Sequence, residues 1–360
     1  MTTAASQLHP AAEQAGADKA KSQVPVLTIT LIALGLLLAA GMLVSLGVGG
    51  HNMTIGQVVD AIALRWRTDA WAQSPDATIV WSLRMPRTLL AAMVGVNLSI
   101  AGVLLQGIMR NPLASPDIIG VTAGAALAAT IMIVAAPAMM VASGLGLLTL
   151  PLAAFVGAMA VSVVVFALSW QPGVGTSAVR MILAGVAVSA MLGGFQGFLM
   201  VYFADRVQGV VLWLAGSLNT RSWHHVTLVA PCLLIGLGLA AMLIRPLNLL
   251  QLGEAVAHNL GVHVNRTRMA AIITASLLTG SAVCAVGVIG FVGLIIPHIM
   301  RLTVGHTHGR LMPAAMLAGA VMLVWADIGA RVLGEMPVGV LTAMIGGPYF
   351  VALLYGRKLT

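Results

Sequence analysis

Residues 290–301 read Gly290-Phe291-Val292-Gly293-Leu294-Ile295-Ile296-Pro297-His298-Ile299-Met300-Arg301. The stretch is apolar enough to enter a membrane, yet it holds two glycines and a proline. In hydrocarbon, every backbone polar group must find its partner inside the protein. A bent or broken helix survives at that depth only where protein or a water-lined cavity covers the freed groups. The stretch therefore predicts a transport path and not a simple anchor.

Composition makes the membrane setting general. Of 360 residues, 59% are hydrophobic and 8% charged, and the mean hydropathy is +1.01. A soluble domain carries roughly 25% charged residues, so this chain lacks the charge to cover a water-facing surface. At about 20 apolar residues per crossing, its length allows up to about ten spans. Forty glycines and 21 methionines against seven phenylalanines predict close helix contacts through small residues. The net charge is +8, but the basic residues stand singly at the ends of apolar runs, where they fix orientation. No basic stripe with interleaved aromatics is present, which excludes nucleic acid as a partner. Cys232 and Cys284 lack metal or redox spacing and read as core residues. The pairs His306/His308 and His224/His225 offer too few ligands for a metal site. No phosphate-cradling loop, nucleophile elbow or zinc helix motif appears. The chain reads as no enzyme, with no bound cofactor and no means of using ATP itself.

Residues 1–24 are polar and Ala/Gln-rich and are expected to form a disordered cytoplasmic tail. The apolar run 24–48 is too long for a cleaved signal and is expected to stay as the first span. Residues 51–81 are amphipathic and belong at the outer surface. Further spans are expected at 88–108, 118–136, 146–168, 181–203, 226–244, 270–289, 293–304, 311–332 and 338–354. The expectation is an all-α polytopic membrane protein of about ten transmembrane helices occupying 25–358. An even number places both termini on one side, and the distribution of Lys and Arg favours the cytoplasm. No internal repeat is visible.

Three polar units interrupt the apolar pattern. In 245–262, Leu249, Leu252, Val256 and Leu260 fall at helical spacing, with Gly253 and Gly261 flanking a short helix and Gly261 placed to cap it. Such a helix either docks into a groove on a partner or lies on lipid. In 106–117, Pro112 and Pro116 end one helix and start the next, which puts Asn111 and Leu113 in the turn at the inner mouth. Arg84-Met85-Pro86-Arg87 and Arg331 fall on the outer side, against the orientation rule. Exposed arginines there either meet acidic groups of an incoming protein or ligand or snorkel to headgroups. Asp327 precedes Arg331 by four residues and can pair with it on one helix face. Asp327 is the one acid deep in a span, and this pairing weighs against an ion-coupled secondary transporter, which needs a free intramembrane site. His298 can line the path, with no acid near it in sequence to form a proton relay.

These blocks, in this order, resemble the FecCD family of permease subunits from iron-chelate and cobalamin ABC importers. The resemblance runs through Arg84-Met85-Pro86-Arg87, Gln106 with Arg110-Asn111-Pro112-Leu113-Ala114-Ser115-Pro116, and Trp213-Leu214-Ala215-Gly216-Ser217-Leu218. It continues through Gly290 to His298, Ala326-Asp327 with Ala330-Arg331, and Glu335-Met336-Pro337-Val338-Gly339-Val340 with Gly346-Gly347-Pro348. It implies a type II ABC importer permease in the inner membrane of a bacterium. Its implied partners are a second permease subunit in a homo- or heterodimer, two cytoplasmic ATPase subunits carrying ATP and Mg, and a periplasmic or lipid-anchored binding protein. By the same resemblance, Arg84, Arg87 and Arg331 receive the binding protein, while Asn111 and Leu113 form a cytoplasmic gate. Leu249, Leu252, Gly253, Glu254, Ala255, Leu260 and Gly261, within 246–263, couple to the ATPase. Gln196 and Gln208 on the fifth span, with His298, line the path. The chain departs from many relatives at Gly287-Val288-Ile289-Gly290-Phe291, where they carry a proline after the first glycine. The block 106–121 is most similar to ferric-siderophore and ferric-citrate permeases, which implies an iron chelate as cargo, with cobalamin or haem as the alternatives.

Overall fold

The computed structural model describes residues 8–67, 69–134, 148–172 and 175–356. These residues form helices α1 (Leu8–Gly47), α2 (Ile55–Arg67), α3 (Pro75–Met109), α4 (Val121–Val134) and α5 (Thr149–Ser169). There follow α6 (Ala178–Tyr202), α7 (Val207–Leu214), α8 (Trp223–Leu250) and α9 (Glu254–Asn259). The chain closes with α10 (Val264–Val286), α11 (Val292–Val304), α12 (His308–Val332) and α13 (Val338–Gly356). Among the described residues the only strands are Trp170–Gln171 and Gly175–Thr176, paired antiparallel with Trp170 opposite Thr176.

Seven helices are long and apolar enough to cross a membrane: the Pro25–Gly47 part of α1, with α3, α5, α6, α8, α10 and α12. Three shorter apolar helices, α4, α11 and the Val338–Leu353 part of α13, lie where the other three spans are expected. Helix α1 begins at Leu8, so residues 8–24 are helical where a disordered tail is expected. Their Ala- and Gln-rich sequence has high helix propensity and extends the span that follows. Residues 1–7 and 357–360 lie outside the described residues. Helix α3 starts at Pro75 and not at 88, with a π-helical turn at Ile79–Arg84. Ser74 caps it by accepting a bond from the Ala77 amide, and Pro75 fills the first turn, where its missing N–H costs nothing.

Helices α3, α10 and α12 form the interior, while α1, α6 and α8 turn most of their surface outward. Leu90, Leu104, Leu278 and Leu323 are fully buried in this core. Small residues allow the close approach. A Cβ on Gly95 would overlap the carbonyl of Gly319, and one on Gly102 would overlap the carbonyl of Gly293. This is how membrane helices gain contact without a hydrophobic driving force. At the outer end, α2 is non-spanning, as expected. It packs over a small core of Leu46, Met53, Val58 and Val80, and Arg65 stacks 4.4 Å from the Trp71 ring.

The helix break lies just before the expected stretch. Helix α10 stops at Gly287 (φ 80°), and Phe291 (φ 69°) starts α11. Protein covers the freed backbone. The Ser217 amide donates to the Val286 carbonyl at 2.8 Å, and the Gly339 amide donates to the Gly216 carbonyl at 3.0 Å. Three distant sequence blocks therefore meet at one point. Pro297, by contrast, sits inside α11 without ending it.

Gly95→Val tests the close crossing. Overpacking of this kind costs about 1–3 kcal/mol, and we expect a melting temperature in detergent several degrees lower. Gly35→Val, where nothing lies within 4 Å, serves as the control and should leave it unchanged.

Candidate functional site

The outer arginines are built into the fold. The last four carbonyls of α1 have no donor within the helix. Val48 and Met53 amides supply Val44 and Gly47. Arg331 Nη1 supplies Ser45 at 2.7 Å and Arg84 Nη1 supplies Leu46 at 2.6 Å. Arg84 Nη2 also donates to the His51 carbonyl. A cation at a helix C-terminus is favoured by the aligned peptide dipoles as well. Buried Asp327 balances the charge. Its Oδ1 accepts from Arg87 Nε at 3.0 Å and Nη2 at 2.9 Å, and its Oδ2 accepts from Arg331 Nε at 2.9 Å. The pairing of Asp327 with Arg331 expected from their spacing is present.

The expected exposure of these arginines is not found. Arg84 and Arg331 are only 7% and 8% exposed, because their guanidiniums are engaged by carbonyls and by Asp327. Arg87 reaches furthest out, and its Nη1 donates to Glu335 Oε2 at 3.0 Å. That pair stands at the edge of a cleft of about 660 Å³ lined by Arg84, Arg87, Arg221, Arg331 and Glu335. Burial lowers the pKa of Arg221 from its ordinary value. Glu335 adopts a left-handed backbone (φ 59°), unusual for a residue with a side chain.

The opposite end of the bundle is organised by Gln106. Pro297 has no amide hydrogen, so the Gly293 carbonyl four residues earlier loses its helical donor. Gln106 Nε2 faces that carbonyl at 3.4 Å and the Leu294 carbonyl at 3.3 Å. Its Oε1 accepts from Arg301 Nη1 at 2.6 Å. One turn on, Arg110 (φ 50°) ends α3 in the left-handed region. Asn111 Oδ1 then accepts from the Leu113 amide at 2.9 Å, a side-chain turn that sets the chain direction. Gln106, Arg110, Asn111, Gln251, His298 and Arg301 line a cleft of about 450 Å³. The structure thus brings Asn111 and His298 together, while Leu113 stands beside them in the turn. The His298 ring meets Tyr349 edge-on at 6.4 Å. Gln196 and Gln208 lie on different helices, α6 and α7, and not on one span. The polar Asp205-Arg206 pair separates them.

The segment 246–263 differs from expectation in its first half. Pro246 does not end α8, which runs on to Leu250 with Leu247 and Leu250 buried. Leu249 therefore belongs to the spanning helix. The short helix is α9, six residues long, and Ala255 lies on it. Gly253 (φ 112°) opens the turn before it and Gly261 (φ 84°) closes it. The Gly261 amide donates to His258 and the Val262 amide to Ala257, both at 2.9 Å, which is the Schellman arrangement. Leu252, Val256 and Leu260 are exposed, and Glu254 pairs with Arg268 at 2.7 Å. The far end of α8 is tied to the loop after α11. Asn248 Oδ1 accepts from the His308 amide at 2.8 Å, and Gln251 Nε2 donates to the His306 carbonyl at 3.0 Å.

Sequence reasoning gave Ser45, Arg301 and Glu335 no task. For Arg301 a signal existed, a lone glutamine in an apolar helix facing a second helix with proline. No group of three or more potential metal ligands occurs among the described residues.

Asp327→Asn removes the carboxylate that pairs with buried Arg331 and part-buried Arg87. Removing one partner of a buried pair costs about 3–5 kcal/mol, so thermal unfolding in detergent should show a large loss. Glu335 is half-exposed, and Glu335→Gln should cost under about 1 kcal/mol. Equal losses in the two variants would contradict this account.

The comparisons agree with this geometry. The FecCD transport family matches residues 37–356. A hemin transport system permease protein of Yersinia pestis, HmuU, is 39% identical over 91% of this chain and 96% of its own length. The Fe(3+) dicitrate transport system permease protein FecD of Escherichia coli is 42% identical over 81% of this chain and 91% of its own. A solved structure described as an inward-facing conformation of a metal-chelate type ABC transporter superposes with a TM-score of 0.78 at 32% identity, covering 91% of this chain and 99% of that one. The chain belongs to the FecCD transport family and is a membrane permease subunit of the ABC-transporter kind, not an enzyme.

Proposed function

We propose that this chain is the translocating subunit of an ATP-driven importer that carries a ferric siderophore or a similar iron chelate into the cytoplasm. One observation carries the reading. A single bundle presents an arginine cleft at one mouth and, at the other, a short helix between two glycines with exposed Leu252, Val256 and Leu260, with an interrupted helix between them. The relatives named above carry hemin and ferric dicitrate in their names, which supports an iron-bearing cargo. The resemblance of 106–121 favours a chelate over haem or cobalamin.

In this reading ten helices cross the membrane and both termini are cytoplasmic. A periplasmic or lipid-anchored binding protein docks at the outer cleft, where its acidic side chains approach Arg87. Arg84 and Arg331 hold the rim and set the local positive charge. Leu252, Val256 and Leu260 on the turns around α9 seat in a groove of each of two ATPase subunits, which bind ATP and Mg. A second copy or a sister permease packs on α6 and α13. Support for that face is its outward apolar surface, with Phe195, Phe198, Met344 and Ile345 exposed and open space at Gly193, Gly197 and Gly347. ATP-driven closure of the ATPases moves α9 and the end of α8. The ties from Asn248 and Gln251 pass the movement to α11 and the turn at Asn111 and Leu113, which act as the inner gate. His298 and Gln196 border the path, with Gln208 at its outer end.

Reconstituted with its ATPase and binding protein, the subunit should take up labelled ferric chelate only with hydrolysable ATP. Uptake that survives ATP depletion and collapses with an ionophore would favour an ion-coupled secondary transporter instead. Competition by haem, cobalamin and ferric citrate in the same vesicles ranks the cargo. Arg87→Glu should weaken binding-protein docking by roughly tenfold or more, the scale of a lost charge-assisted contact. Leu260→Asp should leave docking intact but abolish the stimulation of ATP turnover by loaded binding protein.

A further inference from the structure

A third cleft is separate from the arginine cleft and the Gln106 cleft. It has about 710 Å³ and lies between α8 and α10, beside the turn that follows α9. Its upper wall is Leu239, Met242 and Ile273, all exposed and apolar. Its lower end carries Arg245, His263 and Arg266, also exposed. From Leu239 to Arg245 the helix rises about 9 Å, so the cleft runs from a charged rim into the depth of the apolar spans. No carboxylate lines it. The nearby acid, Glu254, is held by Arg268 at 2.7 Å. Among the described residues neither Arg245 nor Arg266 makes a hydrogen bond or an ion pair.

We propose that this cleft is a binding site for an anionic phospholipid of the leaflet on that side. The phosphate sits between Arg245 and Arg266, with His263 as a further donor, and an acyl chain lies along Leu239, Met242 and Ile273. The shape argues for a lipid. A soluble anion would use the rim and leave the apolar wall wet, whereas arginines that only snorkel need no groove above them. Basic pockets between membrane helices on one face recognise anionic headgroups in this way. The floor of the cleft includes Leu249, Leu260 and Gly261, so an occupied site would brace the segment that carries α9. The inference does not rest on the cargo or the ATPase.

The test is native mass spectrometry of the full chain in mild detergent, titrated with cardiolipin, phosphatidylglycerol or phosphatidylcholine. We expect the anionic lipids to be retained and phosphatidylcholine to be lost. Arg245→Gln with Arg266→Gln should cut retention roughly tenfold, since each arginine near a membrane surface contributes measurable attraction. Met242→Trp, which fills the groove and keeps both arginines, should cut it too. All three positions are exposed, so unchanged thermal unfolding of the variants confirms that they fold. Retention untouched by Met242→Trp would reduce the arginines to snorkelling, and equal retention of phosphatidylcholine would remove the charge recognition. If inorganic phosphate protects against unfolding as well as the lipids do, the site takes a free anion and the proposal fails.

Discussion

A proline inside a membrane helix leaves one carbonyl without its amide, and hydrocarbon offers no water to replace it. In this chain that carbonyl belongs to Gly293, and Gln106 from the neighbouring helix faces it. The same side chain accepts from Arg301. Both ends of one amide are thus used, and α3 is locked in register against α11. Gly102 makes the distance possible, since any side chain there would overlap the Gly293 carbonyl. Gly293 and Pro297 of the 290–301 stretch serve one contact with α3: glycine for approach, proline for the freed acceptor, and Gln106 for the donor. An apolar residue at 106 would leave both a carbonyl and a guanidinium unpaired in the interior, where each unmet polar group costs about 1–3 kcal/mol.

The outer mouth uses the same logic with charge. Helix α1 ends below the surface of the bundle, and its carbonyls would be orphaned there. Arg84 and Arg331 supply donors from two different helices, and Asp327 neutralises the excess. Ser45 joins the network three times, through its carbonyl to Arg331 Nη1, and through its hydroxyl to Arg331 Nη2 at 2.9 Å and to Thr88 at 2.6 Å. Four arginines, Arg84, Arg87, Arg221 and Arg331, against Glu335 and buried Asp327 leave a positive cleft. The arginines that break the orientation rule therefore have a structural cause before any partner arrives. Arg87 is held by Asp327 through Nε and Nη2 and by Glu335 through Nη1.

Much of this was legible from residue order. The apolar runs located seven helices long enough to span and three shorter apolar ones, because length and hydropathy are written in composition, and a cap at Gly261 followed from a glycine placed after an apolar pattern. The Asp327–Arg331 pair followed from helical spacing. What could not be read was anything set by distant contacts. Arg84 was expected to be exposed because its neighbours in sequence do not include the carbonyls of Leu46 and His51 that bury it. The span was expected to end at 244, yet packing of Leu247 and Leu250 carries α8 on to Leu250. Gln196 and Gln208 were placed together by the family resemblance, while a short turn at Ala204–Arg206 sets them on separate helices.

Helix α3 joins the two mouths. Arg84 and Arg87 stand near its start, and Gln106 and Arg110 at its end. From Met85 to Met109 it runs 25 residues without a break, about 37 Å at the usual rise. It crosses α12 at Gly95 and Gly319 and α11 at Gly102 and Gly293, both as backbone contacts that leave no slack for sliding. Close-packed backbones of this kind move as a unit or not at all. The interior of α3, α11 and α12 is then a rigid body. Conformational change must fall on the joints around it: the non-helical link 287–291, the Asn111 turn and the glycine hinges beside α9. Each joint has left-handed residues, Gly287 and Phe291 at the first, Arg110 before the second, Gly253 and Gly261 at the third. A close-packed body flanked by positive-φ links is the arrangement in which hinge or shear movements of packed helices are accommodated.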